Sequence, residues 1–148
     1  MRAPKEWFEV TVQPLVQDYL SDTTREHKAD AALCVIAHFD ETVFTYLSRY
    51  EPEQWQGNRK KKLSEFRKAL YKECTDEQRL ALEDLRKAAT ARKHGELDWV
   101  TPHLLATDAM SPSHGGFRIG GQDGSTLSDA LECAVSFWAD WIKKNPVA

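Results

Sequence analysis

With 148 residues, 41% hydrophobic and 29% charged, the chain is sized for one domain with a core of its own and does not have the composition of a disordered polymer. A net charge of −3 argues against a general nucleic-acid binder, whose phosphate contacts usually leave a basic excess, although local basic patches stay open. No apolar run approaches the roughly 20 residues of a membrane span. The opening stretch, with Pro4, Lys5 and Glu6, lacks the features of a signal or transit peptide, so the expected location is the cytoplasm, with no membrane partner.

Taken in order, Trp7 to Val12 alternates weakly and reads as extended. Pro14 then suits the first turn of a short helix carrying Leu15, Val16, Tyr19 and Leu20. Thr23 and Glu26 have the spacing of a capping box, predicting one long helix from there to about Tyr50, with Ala32, Ile36, Phe39, Val43, Tyr46 and Leu47 at helical spacing. Asp40 interrupts a second apolar stripe and is a carboxylate turned toward the interior or its edge. Glu51 to Asn58 reads as a turn carrying Trp55. Leu63, Phe66, Leu70 and Cys74 mark a third helix, whose start, Arg59 to Lys62, is the densest basic run in the chain. Positive charge there opposes the helix macrodipole, which a solvated face or an anionic contact would relieve.

Thr75 and Gln78 form a second capping-box pattern, opening a helix that Gly95 stops. Between Glu96 and Asp123 the helical period is lost; His103 to Met110 and Gly116 to Ile119 predict a small β-hairpin. Its glycines lack the dinucleotide-binding spacing. Ser125 or Thr126 then caps a last helix with Leu127, Leu131, Val135, Trp138 and Ile142 inward. The expectation is an all-α fold: an antiparallel bundle of about five helices with a small hairpin before the last, forming a single domain over residues 1–148.

Cys34, Cys74 and Cys133 are odd in number and widely spaced, which suits reduced core thiols. Zinc-helix, Cys-x-x-Cys, phosphate-loop and nucleophile-elbow motifs are absent, and neither a metal nor a cofactor is expected. His27, His103 and His114 fall in capping or turn contexts, while His38 lies on a mixed face with Cys34, Thr42 and Thr45.

The stretch that hints at a site is Leu85 to Gly95. At about 100° per residue, Glu83, Arg86, Thr90, Lys93 and His94 share a strip along the edge of the apolar arc of Leu82, Leu85 and Ala89. Two fixed cations beside a group that exchanges protons near neutrality could bind a phosphodiester and cleave it without metal. The structural alternative is an edge-of-core network in which Arg86 and Lys93 pair with Asp40 or Glu83 and His94 closes the helix end. That network predicts a loss of roughly 1–3 kcal/mol for His94→Ala.

An all-helical domain with Arg86 and His94 on a late helix resembles the higher eukaryotes and prokaryotes nucleotide-binding (HEPN) superfamily. Its active members are metal-independent ribonucleases, with an Arg followed by four to six residues and then a His. Here seven residues separate Arg86 from His94, and Lys87 follows Arg86. The chain is also similar to small bacterial helical proteins of unassigned function, whose helix reads Arg-Asp-x-Ala-Asn-Ala-x-Lys-His. Arg86, Ala89, Ala91, Lys93 and His94 fit, while Lys87 replaces the Asp and Thr90 the Asn. His38-Phe39-Asp40 imperfectly matches a His-x-x-Asp wording of those proteins; Asp123-Gly124 and Phe137-Trp138 match their turn and last helix.

The resemblance implies a non-catalytic HEPN-like module acting through a protein partner, a second copy or a bound ligand. The other reading is a metal-independent ribonuclease or nucleotide-binding domain of a toxin–antitoxin or phage-defence type system, with RNA or a nucleotide as partner. In that reading Arg86 and His94 are catalytic, and Lys93, Thr90, His38 and Asp40 bind. Five Trp and four Tyr exceed what a small core readily hides and point to self-association as a dimer.

Overall fold

The computed structural model describes residues 1–95, 117–119 and 126–146. The fold is all-α. Helix α1 (Pro4–Trp7) runs through a π-helical turn, Phe8–Val12, into α2 (Gln13–Ser21). The extended reading of Trp7 to Val12 is therefore corrected: Phe8, Val12, Val16 and Tyr19, three or four residues apart, are all buried, which is a helical spacing. Pro14 has no N–H for the carbonyl four residues back and would crowd it. The wider turn accommodates this, and the Gln13 amide reaches five residues back to the Phe8 carbonyl.

The long second helix is two helices, α3 (Glu26–Ala37) and α4 (Phe39–Tyr50), broken at His38. Its predicted Thr23–Glu26 capping box does not form. Asp22, a stronger acceptor next to it, takes the Thr24 amide at 3.3 Å and hydroxyl at 2.6 Å and the Arg25 Nε at 3.2 Å. At the break, Asp40 turns one carboxylate oxygen onto the Glu41 amide at 2.7 Å, a local bond that competes with the continuous helix ladder.

Pro52 starts the single helical turn α5 (Pro52–Trp55), within the stretch read as a turn carrying Trp55. Asn58 caps α6 (Arg59–Glu73) by accepting the Lys61 amide at 3.0 Å. The Thr75–Gln78 capping box on α7 (Asp76–Lys93) forms as its spacing predicts, with reciprocal bonds of 3.1 and 3.0 Å. Gly95 follows with φ +71°, the left-handed conformation that ends helices. Thr126 caps α8 (Leu127–Lys144).

No β-hairpin is found among the described residues. His103 to Met110 and Gly116 lie outside them. Phe117 to Ile119 contributes one antiparallel bridge, Arg118 to Thr126. The Phe117 amide donates to the Tyr19 hydroxyl at 3.2 Å and its ring lies 6.4 Å from that of Tyr19, so this segment spends its amide and its apolar side chain on the bundle rather than on a partner strand.

Helix α3 packs on α2, α7 and α8, and α7 packs closely along α8. Rings thread the core: Phe39 meets Trp138 edge-on at 4.8 Å, Trp138 meets Trp141 at 5.6 Å, and Phe66 links Trp141 to Trp55. The reading of all three cysteines as core thiols is corrected at Cys34, which is exposed on α3; Cys74 and Cys133 are half-buried.

Candidate functional site

On α7, Ala81, Leu85, Ala88 and Ala89 are buried and set the polar strip at the edge of the core. Arg86 is half-buried there, its guanidinium 6.0 Å from the centre of the Tyr71 ring. It lines a small cavity of about 20 Å³ with Asp40, Tyr71 and Trp138, whose buried indole N–H has no hydrogen-bond partner among the described residues. Burial pushes the Tyr71 phenol upward; nearby Arg86 opposes the shift, while Asp40 and Glu83 add to it.

The predicted pairing of Arg86 and Lys93 with Asp40 or Glu83 is corrected. Asp40 accepts Arg67 Nε at 2.6 Å, and Glu83 lies 3.8 Å from an Arg79 nitrogen. Arg86 makes no hydrogen bond or ion pair with a described residue. Arg67 arrives from α6 in the register that reaches both Asp40 and Glu41, and thus outcompetes Arg86 for the carboxylate.

Thr90, Lys93 and His94 are exposed. His94 ends α7; its backbone amide donates to the Thr90 carbonyl at 3.2 Å, and its imidazole bonds no described residue. Eight residues at 1.5 Å each put it about 12 Å along the axis from Arg86. The strip is therefore divided: Arg86 faces the core beside Asp40, while Lys93 lines a groove of about 270 Å³ with His38, Cys34 and Ala89.

Two arginines that the sequence did not single out as site residues tie the helices. Arg67 donates 2.6 and 3.1 Å bonds to Asp40 and Glu41, and these bonds raise its pKa against the opposing effect of burial. Arg92 grips Asp30 with two bonds, 2.8 and 3.1 Å, and also bonds Glu26. The Asp30 hydrogen bond is the main cause of the upward shift of its pKa. A sequence signal existed in Glu26 and Asp30, one turn apart on α3, but their partner lies more than 60 residues away.

A second groove, about 590 Å³, is lined by Arg2, Trp7, His38, Glu41, Thr42, Thr45 and Arg59. His38, at the break between α3 and α4, borders both grooves. Arg59, at the start of α6, donates to the Thr45 hydroxyl at 2.9 Å, and its guanidinium lies 5.3 Å from the centre of the Phe44 ring. The basic run thus sends its first member back across α4. Among the described residues, no group of three or more His, Cys, Asp and Glu is placed to hold a metal ion, and no helix is long and apolar enough to cross a membrane.

Compared with known proteins, the chain matches no family model, no curated protein and no solved structure.

Proposed function

We propose that the chain is a non-catalytic HEPN-like helical module that works by binding, with the grooves on either side of His38 as its working surface. The observation that carries this reading is the separation of Arg86 from His94. Metal-free phosphodiester cleavage needs a proton-transfer group and an anion-stabilising group around the same reacting atoms, within hydrogen-bond reach of each. Arg86 is instead held over Tyr71 beside the core, and His94 is about 12 Å away at the exposed helix end. The all-α architecture and the Ala-rich buried face of α7 support the HEPN-like assignment. A cytoplasmic location and a protein partner belong to the same proposal.

Incubation of the purified chain with single-stranded RNA in EDTA tests it. The expected result is no cleavage above that of an Arg86→Ala/His94→Ala double variant. EDTA-resistant cleavage that disappears in His94→Ala and in Arg86→Ala, with the melting temperature held, would replace this reading by the ribonuclease one.

A further inference from the structure

The groove bounded by Trp7, α4 and the start of α6 has the size of a small-molecule site, about 590 Å³. We propose that it binds a flat apolar monoanion carrying a carboxylate, with Arg59 receiving the carboxylate and Trp7 forming the wall for the apolar body. This deepens the binding-module reading by naming a ligand class, and rests on it.

Arg59 is held in place from two sides. One terminal nitrogen donates to Thr45 at 2.9 Å, and the guanidinium carbon lies over the buried Phe44 ring, 5.3 Å from its centre. Among the described residues no carboxylate pairs with it, and the guanidinium N–H groups not bonded to Thr45 keep the planar fork that matches a carboxylate. Fixing the fork beforehand removes part of the ordering cost of binding.

The surrounding charge selects one negative charge over two. Glu41 lines the groove, and the cation it meets, Arg67, is shared with Asp40, so the Glu41 carboxylate stays a negative neighbour of the site. Arg2 is 3.7 Å from Glu6. Among the described residues, Arg59 makes no ion pair with a carboxylate, whereas Arg2 has a loose, exposed contact with Glu6. A monoanion balances Arg59, whereas a dianion would bring a second charge against Glu41. Trp7 is half-buried and presents a partly exposed ring, and Thr42, whose hydroxyl donates to the His38 carbonyl at 3.3 Å, keeps oxygen lone pairs for a polar edge.

Titration of the full chain with naphthoate, naphthalene methanol and naphthyl phosphate, followed by heteronuclear NMR, tests the proposal. Naphthoate should bind saturably, shifting the Trp7 indole and the Thr42 and Thr45 amides. The alcohol and the phosphate should each bind about tenfold or more weakly, the worth of a charge-assisted pair gained or of a repulsion avoided. Arg59→Gln should cost naphthoate about tenfold, and Arg59→Lys less, because it keeps the charge and loses the fork. Equal affinity for acid and alcohol, tighter binding of the phosphate, shifts confined to other residues, lack of saturation, or an unchanged affinity in Arg59→Gln would each overturn it. Failure here leaves the non-catalytic reading intact, whereas EDTA-resistant RNA cleavage removes that reading whatever naphthoate does, so the two failures are told apart.

Discussion

Arg67 and Arg92 make the same kind of contact in different surroundings, which separates their expected costs. The Asp40 side chain keeps only 14% of its exposure, so Arg67→Ala strands a carboxylate that water cannot fully solvate. A loss of about 2–3 kcal/mol in urea denaturation is expected. Asp30 is 39% exposed, and Arg92→Ala should cost about 1 kcal/mol or less. His94→Ala, expected from its sequence context to remove a structural partner, should leave the denaturation midpoint nearly unchanged, because the imidazole contacts no described side chain by hydrogen bond.

Titration adds an alkaline prediction. Burial raises the Cys74 thiol from 9.0 to about 11, and burial also lifts Cys133, Tyr19 and Tyr71. In each case the folded chain holds its proton to higher pH than the unfolded chain. The contribution to stability is complete below the unfolded pKa and is lost as pH rises through the folded value. The denaturation midpoint should fall between about pH 9 and 11, less steeply in Cys74→Ala. At neutral pH a thiol reagent should label exposed Cys34 first, as peptide mapping would read.

Among the elements, helix starts were legible where one residue pair monopolised the capping and obscure where a neighbour competed. Thr75 has Asp76 after it, inside the first turn, and no carboxylate directly before it; its reciprocal bonds with Gln78 form, and Thr75→Ala should cost about 0.5–2 kcal/mol. Thr23 has such a carboxylate in Asp22, which takes the local donors. The break at His38 was illegible for a different reason. Apolar spacing continues through it, and what divides α3 from α4 is a side-chain bond within one turn and a guanidinium 27 residues away. The π-helical turn is a third case, in which Pro14 was rightly placed near a helix start while the chain before it was misread. The weak alternation of Trp7 to Val12 concealed the four-residue spacing of Phe8, Val12 and Val16.

At the scale of the whole molecule, the all-helical class was readable from periodicity, and far-ultraviolet circular dichroism should be dominated by helix. The site was readable in part. Arg86 and Asp40 do meet at one cavity, but the partner that claims Asp40 is set by how α6 docks, which no local pattern encodes. The aromatic surplus that suggested a dimer is largely taken up inside: Trp138 and Trp141 are buried, Trp7 and Trp55 half-buried, and Trp99 lies outside the described residues. Trp138→Ala should accordingly lower stability by about 3–5 kcal/mol and leave the sedimentation coefficient of the folded chain as it was.

The contact between those two indoles also gives the protein an optical signature. Trp138 and Trp141 lie 5.6 Å apart at 77°, with Phe39 and Phe66 against them. Transitions of two rings held so close and so obliquely mix into a chiral pair, and their signal depends on the angle. The part of the near-ultraviolet ellipticity that this pair supplies would be lost on loosening of the junction even while the helices persisted, so the unmodified chain carries its own gauge of whether α8 is seated.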